Sequence, residues 1–246
     1  MSPLTGVLSE AWDLYRRHAR HFLLLSFVIY LVLAALAALF SAFLGTIGQF
    51  LSDVLNVFGM YLLQVALVKA VQDVRDGRAD LSLRETVGAA VPSLVPVAVA
   101  SILASVAIAV GFFLVIVPGL ILATFLSLIV PCIVIGGAGI LESFGKSWRT
   151  VRGNGWHVFG TYVMVFLLLI LANIVIGVVL SFLPAAARNF LSEVIAGTLI
   201  APFIAAVVTL VYYRLTAAGG KPAEPAAQAP GSPGWSGSSG SSGEQF

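Results

Sequence analysis

Gln49, Asp53 and Asn56 stand four and three residues apart, a spacing that puts them on one helix face inside an otherwise apolar stretch. With Gln64 further along the same stretch and Asn173 in a distant apolar run, the amides Gln49, Asn56, Gln64 and Asn173 form a candidate polar pocket. Amides donate and accept hydrogen bonds without carrying charge, which suits an uncharged or zwitterionic ligand. The same groups can instead bond from helix to helix as structural glue, and the spacing leaves both readings open.

A second set of residues is basic. Arg16, Arg17 and Arg20 follow one amphipathic stretch, and Lys146, Arg149 and Arg152 lie within another. Near a membrane surface each such cation attracts anionic head groups by about 1 kcal/mol, so these six are candidate anionic-lipid contacts. The plainer reading is that they only orient the chain.

Catalytic chemistry is not expected. The sequence lacks HExxH, GxSxG and GxxxxGK[ST], and its three histidines, His18, His21 and His157, fall at expected membrane surfaces. The lone Cys132 is surrounded by apolar residues and reads as a small hydrophobe. Asp53 and Glu193 sit at span edges, whereas an ion path needs ionisable groups near the midplane. The expectation is a non-enzyme with no catalytic residue, no metal site and no cofactor.

The elements that must carry these residues follow from composition. Of 246 residues, 59% are hydrophobic and only 10% charged, with mean hydropathy +1.03. A soluble domain carries about 25% charge, so a soluble enzyme, a nucleic-acid binder and a disulfide scaffold are all excluded. The reading is an all-α, polytopic membrane protein with six transmembrane helices. The first is the charge-free run Phe22 to Leu44, 23 residues and about 34 Å of helix, an uncleaved anchor because it exceeds the roughly 7–15 apolar residues of a signal peptide. The others are expected near 47–71, 92–116, 120–140, 156–183 and 194–213. Pro118-Gly119 is expected to turn span three into span four, and Pro131 to kink span four. Close helix approach is expected along Ala34, Ala38 and Ala42, and along Ser101, Ser105 and Ala109.

Twelve of the 13 Lys and Arg residues fall on one side of these spans, leaving Arg188 alone on the other. That places both termini in the cytoplasm and the protein in the plasma (inner) membrane. Before span one, Leu4, Val7, Leu8, Ala11, Leu14 and Tyr15 make an apolar stripe; before span five, Leu141, Phe144, Trp148 and Val151 make another; a shorter one, Leu83, Val87 and Ala90, precedes span three. The expected plan is three hairpins, each preceded by a cytoplasmic amphipathic helix lying in the interface. The domains are then an interfacial helix over 1–20, a membrane domain over 21–215 and a Gly/Pro/Ser-rich disordered tail over 216–246. Expected partners are the bilayer with its anionic lipids and a membrane protein partner, not nucleic acid.

From Pro118 to Trp156 the chain resembles the glycerophosphoryl diester phosphodiesterase membrane-domain family. The marks are Pro118 and Gly119, Pro131, Ser147 with Trp148, Arg152 with Gly153, and the late pair Tyr212 and Tyr213. That family commonly carries a glutamate five residues after the span-four proline, where this chain has Gly136. The resemblance implies a multi-pass plasma-membrane protein, in some members fused to a soluble phosphodiesterase barrel. A barrel needs about 250 residues of its own, so hydrolase activity is not implied here. The overall expectation is a scaffold or accessory subunit for envelope or lipid processes, with a carrier or flippase-like transporter as the alternative.

Overall fold

The computed structural model describes residues 4–76 and 83–218, and these are helical throughout their regular structure, with no strand. Eight helices follow in order: α1 (Val7–Arg17), α2 (Ala19–Arg75), α3 (Leu83–Leu114), α4 (Ile116–Leu126), α5 (Ile129–Val134), α6 (Ile140–Val151), α7 (Gly155–Val179) and α8 (Ala185–Ala218). Six stretches within them are long and apolar enough to cross a membrane: Ala19–Ala37, Ala42–Arg75, Arg84–Leu114, Ile116–Val134, Gly155–Val179 and Val194–Ala218. The tail expected from 216 begins later, since 216–218 continue α8, and residues 219–246 lie outside the described residues.

The first two spans share α2, whose helical geometry is interrupted at Gly45 (φ 55°, ψ −127°). Beyond that point the chain returns along itself. Ser52 Oγ donates to the carbonyl of Ala37 at 3.1 Å, and a Cβ on Gly59 would lie 2.3 Å from the Leu33 side chain. Glycine at 59 lets the two halves close to backbone distance.

Spans three and four are divided elsewhere than expected. The chain is extended at Val115 (φ −162°, ψ 149°), and Pro118 and Gly119 lie inside the first turn of α4. Proline is tolerated there because the first N–H groups of a helix have no acceptor within it. Gly119 serves packing, not turning: a Cβ on it would stand 2.5 Å from the Phe112 ring of α3. The short helix expected before span three is also corrected. α3 runs on through Pro92 and Pro96 as one element, and its buried stripe is Ala90, Val97, Ala100 and Ala104. The expected Ser101–Ser105–Ala109 stripe does not bring helices together, for Ser105 and Ala109 are exposed.

The second half of α2 and α8 pack on each other through buried residues within 63–71 and across 205–212, and a further unbroken buried run lies at 128–134. α7 is peripheral, with Val158 and Val165 its buried residues. In a bilayer that exposure needs no protein cover, because lipid tails are as apolar as leucine.

Candidate functional site

Span four breaks, and the break organises the site. Pro131 has no N–H to donate to the Ser127 carbonyl, and its ring crowds that same carbonyl four residues back. Accordingly α4 stops at Leu126 and α5 starts at Ile129. A side chain from α6 mends the gap. Ser147, fully buried, donates to the Phe125 carbonyl at 2.7 Å and accepts the Leu128 N–H at 3.2 Å. Next to it the Trp148 ring lies over Phe125, centroids 4.2 Å apart.

The start of α6 is held as firmly. Glu142 reaches back to accept the Gly139 N–H at 3.2 Å, as the third residue of a helix can. Lys146 Nζ donates to the Gly136 carbonyl at 2.7 Å. Gly136 is crowded: a Cβ there would come within 2.6 Å of Tyr212 Oη and 2.7 Å of both Cys132 O and Lys146 Nζ. Glycine is therefore what lets α5, α6 and α8 meet. Pro131, Ser147, Trp148, Gly136 and Tyr212 thus form one structural knot, while Pro118 and Gly119 belong to the contact between α3 and α4. Tyr213 faces another way and stacks under the Arg75 guanidinium, 3.8 Å from its ring centroid.

The apolar stripe of α6 is divided between protein and surroundings. The residues it buries are Ser143, Ser147 and Val151, whereas Leu141 and Trp148 are exposed. Of the three cations expected to contact lipid on this helix, Lys146 is half-buried and bonded to Gly136, while Arg149 and Arg152 are exposed. Arg16, Arg17 and Arg20 are exposed too.

α1 does the opposite with its apolar face. Val7, Ala11 and Tyr15 are buried, Trp12 and Tyr15 meet the Phe203 ring of α8 edge-on, and Arg214 of α8 pairs with Glu10 and donates to the Thr5 carbonyl at 2.6 Å. Burial pushes the Tyr15 phenol above its ordinary pKa. The stripe read as bilayer-facing therefore packs on protein.

The four amides do not converge. Gln49 is exposed and donates to Asp53 one turn on, at 3.3 Å; Asn56 is exposed; Asn173 is exposed on α7 and returns its amide to the Leu169 carbonyl at 2.9 Å. A helix face shared in sequence faces the bundle only if the bundle covers it, and around Gln49 and Asn56 it does not. Gln64 alone of the four lines a polar hollow, about 260 Å³, with Tyr61, Ser101, Ser105 and Ser127 at the span-four break. No spacing rule pointed to that set, whose members come from α2, α3 and the link between α4 and α5. Its members Gln64, Ser101 and Ser105 stood out singly in the sequence, but nothing there joined them to one another or to Ser127.

A larger groove, about 640 Å³, lies between α4 and the start of α7. Its walls are Leu120, Ile121, Phe125, Trp156 and Phe159, and Gly153, Gly155 and His157 complete it toward the end of α6. Thr124 also lines it but turns its hydroxyl to the Leu120 carbonyl at 2.8 Å, so its polar group is satisfied inside the helix. The sequence reading missed this groove, because it depends on the positive φ of Gly153 (93°) that swings α7 away from α6.

The fold and these surfaces define an all-helical, multi-pass membrane protein. Residues 22–219 match the family model described as a domain of unknown function, DUF7847, and the chain belongs to that family. No curated protein and no solved structure matches the chain.

Proposed function

We propose that this protein is a non-enzymatic scaffold or accessory subunit of the plasma membrane that gathers anionic lipid at its basic end, serving envelope or lipid processes. The observation that carries this reading is α6. It is fixed to span four by Ser147, Lys146 and Trp148, yet presents Leu141, Arg149 and Arg152 outward. A helix anchored through its polar side and open on its apolar and basic sides is suited to the lipid interface. The strong asymmetry of Lys and Arg supports placing this end, with both termini, in the cytoplasm. The resemblance to the glycerophosphoryl diester phosphodiesterase membrane domain, and the plan of three hairpins with leading helices, belong to the same proposal.

A carrier for a neutral or zwitterionic solute is the second reading, supported by the polar hollow around Gln64, Tyr61, Ser101, Ser105 and Ser127. It no longer draws on Gln49, Asn56 or Asn173.

The test is to excise the protein with its surrounding bilayer in polymer-bounded particles and measure the lipid composition. Anionic phospholipid should be enriched severalfold over the bulk membrane, since about 1 kcal/mol per cation corresponds to roughly fivefold. Replacing Arg16, Arg17, Arg149 and Arg152 by Gln should return the composition to bulk. A wild-type composition equal to bulk refutes the proposal.

A further inference from the structure

We infer that the groove between α4 and α7 is a site for one anionic glycerophospholipid, an acyl chain lying in the groove and the phosphate held at its basic end by Arg149, Arg152 and His157. This rests on the lipid-gathering reading and adds a defined site to it.

Four features converge. The groove's volume, about 640 Å³, falls within the roughly 300–1,000 Å³ of sites that enclose small ligands. Its lining from Val117 to Phe125 follows α4 for about 12 Å, an elongated shape that suits a chain. Its surfaces are aliphatic and aromatic, and the hydroxyl of Thr124 is already bonded within α4. Away from His157 such walls offer no side-chain polar group to a solute and match a hydrocarbon tail.

The ends of the groove differ in chemistry. Gly153, Trp156 and His157 line one end. Arg152 is bonded in chain to that Gly153, and Arg149 lies one turn earlier on α6; both are exposed. Arginine forks match phosphate oxygens bidentately, and Trp156, 85% exposed, is the amphipathic type that sits at head-group depth. Neither arginine lines the groove, but both precede its Gly153 closely in the chain, so an apolar slot and exposed cations stand in neighbouring segments, the two-part chemistry of a phospholipid.

The backbone that carries these cations is anchored. α6 is pinned to span four through Ser147, and Trp148, its next residue, stacks on Phe125, which is itself a groove wall. The distance between head-group and tail positions is thus set by packed elements.

The experiment is native mass spectrometry of the full-length protein in detergent, titrated with dioleoylphosphatidylglycerol or dioleoylphosphatidylcholine. Wild type should hold one phosphatidylglycerol about tenfold more tightly than phosphatidylcholine, and further copies of either weakly. Ile121→Trp fills the groove from a half-exposed position and should abolish the tight first copy. Leu167→Trp, on the exposed face of α7 outside the groove, should leave it unchanged. The pair Arg149→Gln with Arg152→Gln should still accept one lipid but without preferring phosphatidylglycerol. Thermal unfolding of each variant verifies that it is folded.

A tight first copy that survives Ile121→Trp overturns the groove site, and the wider lipid-gathering reading stands. Equal binding of the two lipids by wild type overturns both.

Discussion

α1 and α6 read alike in sequence and dock in opposite senses. Each is a helix of 11 or 12 residues with an apolar stripe and basic residues toward its end. α1 turns Val7, Ala11 and Tyr15 into protein, on α8. α6 turns Ser143, Ser147 and Val151 into protein and leaves Leu141 and Trp148 exposed. The difference lies in the surfaces that receive them. α8 offers Phe203, an apolar partner, whereas span four offers Phe125 C=O and Leu128 N–H at its break. Backbone groups left unpaired in an apolar setting are costly, so α6 turns the Ser147 hydroxyl inward beside Val151, where α1 turns Val7 and Ala11 inward. An amphipathic pattern shows that a helix has two faces; the surface it meets decides which is buried.

The comparison is sharpened most by removing the mending hydroxyl. Ser147→Val should destabilise the fold by about 1–3 kcal/mol, the cost of orphaning buried polar groups, read as a lowered midpoint of thermal unfolding in detergent. Combined with Pro131→Ala, which restores the N–H and lets span four close its own ladder, the loss should be smaller than the sum of the single effects. Additive losses would mean that Ser147 matters for some reason other than the break.

Smaller effects separate the two stripes. Val7→Ala removes buried methyls and should cost about 1 kcal/mol. Leu141→Ala removes a larger group, but from a position 79% exposed, and should stay within about 0.5 kcal/mol. If the leucine variant proves the weaker protein, α6 does not present its apolar side outward.

Much of the architecture was legible because spans depend on long averages. Twenty or so uncharged residues mark a crossing whichever neighbours it has, and all six emerged near their expected limits. Turns depend on single residues, and there the reading slipped. Pro118-Gly119 has the composition of a turn, but the chain turns at Val115, and the glycine instead makes room for Phe112. The effect of Pro131 was legible because a missing N–H acts locally, four residues back, where the break lies. What met that break was not legible, since Ser147 reaches it across 19 or 22 residues of sequence. The candidate amides failed for the same reason in reverse. Gln49 and Asn56 share a face, but the sequence does not say whether another helix covers it.

The contact between Arg214 and the α1 residues Glu10 and Thr5 also has a timetable. These partners are 204 and 209 residues apart, and at about 5–20 residues per second a ribosome needs roughly 10–40 s to make the intervening chain. Through most of that interval α8 has not been made, and Val7, Ala11 and Tyr15 lack their partner on it. The bilayer interface is then the apolar surface within their reach, so docking of α1 on α8 is expected only after the sixth span is made.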